Sequence, residues 1–120
     1  MNVQNILRLL FWPLLGVILA LSLMPAEDAP AVFADDKLNH ILAFFTLSLM
    51  ARWLWPRINF VLLFVFLTAF GGGIELLQLA MGFGRDADWI DFAADIVAIA
   101  LGMLAGSALA NIKSESSTAD

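Results

Sequence analysis

The chain has no cysteine, no tyrosine and a single histidine among its 120 residues. Without cysteine there are no disulfides, no thiolate metal sites and no thiol nucleophile, and without tyrosine there is no phenolic proton chemistry. Charge is scarce too: 14% of residues are charged, against about 25% in ordinary soluble domains. Basic residues number 6 and acidic residues 11, for a net charge of −5. No basic cluster is present to neutralise phosphates, which excludes nucleic-acid binding. What the chain has in excess is apolar surface. At 62% hydrophobic residues, one domain of this length cannot hide it all in a soluble core, so the solvent must be lipid.

Four apolar stretches approach the roughly 20 residues that cross a hydrocarbon core. They cover about residues 6 to 24, 36 to 55, 58 to 80 and 89 to 110. Pro25 and Pro56 stop the first two, Gly82 and Gly84 turn the third, and a polar tail follows the fourth. The expected fold class is an all-α membrane bundle of four transmembrane helices. Residues 1–113 form its single domain, and residues 114–120 a disordered cytoplasmic tail. Trp55, Pro56 and Arg57 make so short a link that spans two and three must form an antiparallel hairpin.

Arg8, Arg52, Arg57 and Lys113 fall on one side of this arrangement, and only Lys37 and Arg85 on the other. The excess of Lys and Arg places both termini in the cytoplasm. Trp53, Trp55 and Trp89 sit at span ends, where aromatic belts form. V-F-A at residues 32–34 resembles a signal cleavage site, but its distance from Met24 and the weak charge around Arg8 fit a retained span better.

The polar residues are concentrated at the outer ends of the spans. Residues three or four apart share a helix face, which groups Asp36, Lys37 and His40 on span two. The same spacing groups Thr68, Gly71, Glu75 and Gln78 on span three, and Asp88, Asp91 and Asp95 on span four. Glu75 lies roughly 9 Å inside Met81, Asp95 roughly 10 Å inside Asp88, and His40 about 6 Å below Asp36. The depths match. An ionisable group there costs several kcal/mol unless paired or wetted, so these residues are candidates for a functional site.

Small residues supply the packing surface. Ala94, Ala98, Gly102, Gly106 and Ala110 recur every four positions, and Gly102 with Gly106 is a small-xxx-small pair. Gly71, Gly72 and Gly73 admit a neighbouring helix or let span three bend before Glu75.

His40, Glu75, Asp91 and Asp95 have the composition of an acid/base or carboxylate-rich site. Competing with that is a buried ion-pair network, in which Lys37 and Arg85 satisfy the acids; spacing alone favours the network. Metal is the weakest reading, with one histidine and no H-E-x-x-H, and a hard cation would be its form. Ser22 and Ser48 lack a G-x-S-x-G context, which argues against serine nucleophiles. Asp86 and Asp88 read as helix N-terminal charges. Glu27, Asp28, Asp35, Glu115 and Asp120 read as solvated.

Four elements occur in order: S-L-M-P (22–25), D-K-L-N-H-I-L-A-F (36–44), G-G-I-E-L-L-Q (72–78) and R-D-A-D-W-I-D-F-A-A-D (85–95), with Gly102 following. Together they resemble the VanZ-like family of small bacterial membrane proteins. That family commonly has Asn where Asp95 stands and Tyr where Phe44 or Phe45 stands. The resemblance implies a multi-pass protein of the bacterial plasma membrane with a polar outward-facing site at Asp36, Lys37, His40, Glu75, Gln78, Arg85, Asp88 and Asp91. The founding member is associated with teicoplanin resistance, and fold alone transfers no activity.

These readings converge on a site that binds the polar part of an envelope lipid, glycan precursor or lipophilic antibiotic, with no cofactor. One alternative is a membrane-embedded hydrolase or transferase using His40 and Glu75 as acid/base groups. Another is a structural partner in a membrane complex, or a homo-oligomer.

Overall fold

The computed structural model describes residues 2–24, 36–81 and 89–119, apart from the side chains of Asp36, Ser114 and residues 117–119. Four helices make up this part of the chain: α1 (Val3–Leu23), α2 (Asp36–Leu54), α3 (Phe60–Met81) and α4 (Trp89–Ala119). The loop residues 25–35 and 82–88, including Pro25, Gly82, Gly84, Arg85, Asp86 and Asp88, lie outside the described residues.

The ends of the helices follow from local chemistry. The Asn2 side chain accepts the Asn5 N–H at 2.8 Å and caps α1. The Asn59 side chain accepts the Leu62 N–H at 3.1 Å where α3 begins. At the other end of α2, Arg8 donates Nε and Nη2 to the Leu54 carbonyl at 3.0 and 2.7 Å. A guanidinium there satisfies a carbonyl that has no partner within its helix and complements the helix dipole.

The helices α2 and α4 pack on each other most extensively, and they run parallel in a constant register. Lys37 meets Asp91, His40 meets Asp95, and Arg52 Nε meets Ser107 Oγ at 2.9 Å. Glycine permits this closeness. A Cβ added at Gly102 would stand 2.5 Å from the Phe45 carbonyl oxygen, and one at Gly106 2.5 Å from that of Leu49. Any side chain would push the backbones apart. Ala98, Gly102 and Gly106 are all buried along this seam.

α3 runs antiparallel to α2 beyond the short 55–59 link and packs mainly on α4. Its buried face, Leu63, Leu67, Gly71, Ile74, Glu75 and Gln78, has the three-and-four spacing expected of a helix. Peripheral to these, α1 buries Phe11 alone and rests on α2 and α3. The Phe11 and Trp55 rings meet edge to face at 5.2 Å.

α1, α3 and α4 are long and apolar enough to cross a membrane; α2 is not among them. Three of the four expected spans thus have the length and apolar composition to cross, while α2 carries Lys37, Asn39, His40 and Arg52 within 19 residues. Outward-facing apolar side chains such as Val61, Leu62, Leu79 and Leu104 fit contact with lipid. Helical backbone also runs past Lys113 to Ala119, through most of the segment expected to be a tail.

Candidate functional site

One turn below the start of α2, His40 turns inward beside Phe44, and their rings stack with centroids 6.4 Å apart. Glu75 reaches the same level from α3, and Asp95 from α4. Among the described residues these three form one cluster, with ligand atoms within 4.8 Å of one another. All are buried, with 8%, 2% and 1% of His40, Glu75 and Asp95 exposed. His40 Nδ1 lies 3.9 Å from Asp95 Oδ2.

Of the two acids that the sequence grouped with His40 and Glu75, Asp95 is the one that joins them. Asp91 stands one turn nearer the helix end, 3.6 Å from Lys37, with both side chains partly exposed. Periodicity puts Asp91 and Asp95 on one face, and only the register of α4 on α2 decides which meets His40.

Gln78 is buried, and its Nε2 donates to the Ser22 carbonyl at 2.8 Å, tying α3 to the end of α1. Arg85, Asp88 and the Asp36 side chain lie outside the described residues. Both weighed serines are bonded within their own helices: Ser22 Oγ donates to the Ile18 carbonyl at 2.7 Å and Ser48 Oγ to the Phe44 carbonyl at 2.6 Å.

The glycines of α3 separate by role. A Cβ at Gly71 would lie 3.4 Å from the Phe44 ring and 3.9 Å from Asp95 Oδ2, so its absence leaves room beside the trio. At Gly72 a Cβ would press on the Phe92 ring at 3.1 Å, and at Gly73 it would meet nothing within 4 Å.

Sequence reasoning missed a groove. An open apolar furrow of about 480 Å³ runs between α3 and α4, floored by Gly72 and Gly73, with Trp89 at its outer end. Thr68 lies along it, and its Oγ1 is buried with no hydrogen-bond partner among the described residues. The small residues Thr68, Ala69, Gly72 and Gly73, at three- and four-residue spacing on α3, were the available signal.

The opposite end of the bundle is basic and aromatic. Arg52 Nη1 donates to the Ile58 carbonyl at 2.6 Å, and its guanidinium lies 5.3 Å from the Phe60 ring centre. Lys113 donates to Gln4 Oε1 at 2.9 Å and lies 5.7 Å from the Trp53 ring centre. The two ends thus differ in charge, with Arg8, Arg52 and Lys113 at one and the His40, Glu75 and Asp95 trio toward the other.

Comparison with known proteins finds no matching family model, no matching curated protein and no matching solved structure. The VanZ-like resemblance therefore rests on the ordered motifs. The fold defines an all-helical chain with three helices suited to cross a membrane and a buried polar cluster between them.

Proposed function

We propose that the protein is a four-span bacterial plasma-membrane protein of VanZ-like type that binds an envelope lipid or lipid-linked precursor at the outer end of its bundle. In this reading α2 crosses as well. Its 19 residues span about 28 Å, close to the roughly 30 Å of a hydrocarbon core. Its polar groups His40 and Ser48 turn inward, where α3 and α4 shield them from acyl chains. Arg8, Arg52 and Lys113 lie at the cytoplasmic end, and the polar trio at the outer end.

The observation that carries the proposal is the convergence of His40, Glu75 and Asp95 from three helices into one cluster. Each such group costs on the order of 3 kcal/mol in a bilayer centre. A cluster of this kind marks a site for a polar ligand, and the groove beside it suits that ligand's acyl chain. Gly72 of the groove floor adjoins Gly71, which faces Asp95 Oδ2. The Lys37–Asp91 pair at the partly exposed rim suits a zwitterionic or phosphate-bearing headgroup. Antibiotic resistance would follow only if such a ligand were a drug or its target.

The approach of His40 to Asp95 also favours a second reading, a membrane-embedded hydrolase or transferase with His40 and Glu75 in acid/base roles. Turnover of an envelope lipid by the purified chain separates the two.

The test is mass spectrometry of lipids that remain bound after purification in mild detergent. A lipid with a phosphate-bearing headgroup should be retained by the native chain. Ala69→Phe, which fills the groove from an exposed position, should lose it without loss of thermal stability. Equal retention by both proteins would contradict the proposal.

A further inference from the structure

We infer that His40, Glu75 and Asp95 form a binding site for one divalent metal ion that accepts mixed imidazole and carboxylate donors, Zn²⁺ or Mn²⁺. Each residue brings one donor from a different helix, so an ion between them would join α2, α3 and α4. The donor set is one imidazole nitrogen and two carboxylate oxygens. Imidazole favours Zn²⁺ and its neighbours over Mg²⁺ and Ca²⁺, while carboxylates accept Zn²⁺ and Mn²⁺.

The geometry is close to what coordination needs. Donors about 2.0–2.2 Å from a shared ion lie roughly 3–4 Å from one another. Here His40 Nδ1 and Asp95 Oδ2 are 3.9 Å apart, and all three donors lie within 4.8 Å. Shifts of under about 1 Å per side chain, within rotamer freedom, would close the shell. The absent Cβ of Gly71 keeps the α3 backbone from crowding Asp95 Oδ2, and the Phe44 ring stacks on the imidazole.

The sequence ranked metal last because it has one histidine, no cysteine and no H-E-x-x-H, and its other donors lie far apart along the chain. The structure collects them. An amide at position 95 would be a much weaker ligand than the Asp95 carboxylate, so the site depends on that acid. The inference rests on the trio's geometry and does not need the lipid reading.

The test uses the full chain in detergent, stripped with EDTA and then titrated separately with Zn²⁺, Mn²⁺ and Mg²⁺. Thermal unfolding and metal content are read together. Saturating Zn²⁺ or Mn²⁺ should raise the Tm by roughly 5 °C or more, with one ion bound per chain. Mg²⁺ at the same concentration should do less. Asp95→Asn should weaken the ion's binding by at least about tenfold, and Glu115→Gln, at an exposed position far from the trio, should leave it unchanged. Co²⁺ bound to the native chain should give visible absorption bands, a readout that needs no variant to fold. Absence of bound ion, Tm shift and Co²⁺ spectrum in the native chain would overturn the inference, and so would an undiminished response in Asp95→Asn. Lipid retention by the native chain and its loss in Ala69→Phe are read separately, so either idea can fail alone.

Discussion

Asp91 and Asp95 show how far a residue's role depends on one helical turn. Both acids share a face of α4. Asp91 ends beside Lys37 with its side chain 21% exposed, while Asp95 is buried against His40. The sequence made the polar face legible, along with the depth of Glu75 and the inward direction of His40. It could not show which acid meets the histidine, because that choice is made by the register of α4 on α2. Arg8 was legible only as a charge that orients the chain, since its contact with the Leu54 carbonyl is 46 residues away in sequence. The partly exposed Lys37–Asp91 pair should contribute little. Asp91→Asn should change stability by less than about 1 kcal/mol in a detergent melt. A loss several times larger would place Asp91 inside the buried cluster.

At the scale of the helices, the small-residue stripe of α4 was readable because its period of four survives in any packing arrangement. Its partner was not readable. The short link makes α2 and α3 an antiparallel hairpin, yet α2 packs most extensively on α4, since Gly102 and Gly106 let two backbones touch. The apolar groove between α3 and α4 escaped notice because it is defined by missing volume. Glycines in the two seams should respond oppositely to a methyl group. Gly102→Ala overlaps the Phe45 carbonyl and Ser48 Cβ and should destabilise by about 1–3 kcal/mol. Gly73→Ala meets open space and should be neutral or stabilise by up to about 1 kcal/mol through reduced backbone entropy. Equal losses at the two positions would contradict the close α2–α4 approach.

For the molecule as a whole, the apolar composition and three of the four helices fit a lipid solvent, while α2, with Lys37, Asn39, His40 and Arg52, is not among the helices apolar enough to cross. Reporters fused after Lys113 and within the 55–57 link should read cytoplasmic, and those in 25–35 and 81–88 should read external. An external C-terminal reporter would reverse the orientation drawn from Arg8, Arg52 and Lys113. The central claim is that separate helices build one polar site, and α2 with α3 gives the strictest test because these two pack little on each other elsewhere. The measurement is a double-mutant cycle of His40→Gln and Glu75→Gln, read by thermal unfolding in detergent. The account predicts a coupling of roughly 1 kcal/mol or more, because removing the second partner cannot repeat the loss of a shared interaction. Additivity within about 0.5 kcal/mol would mean that the two side chains do not meet, and the site would not exist as described.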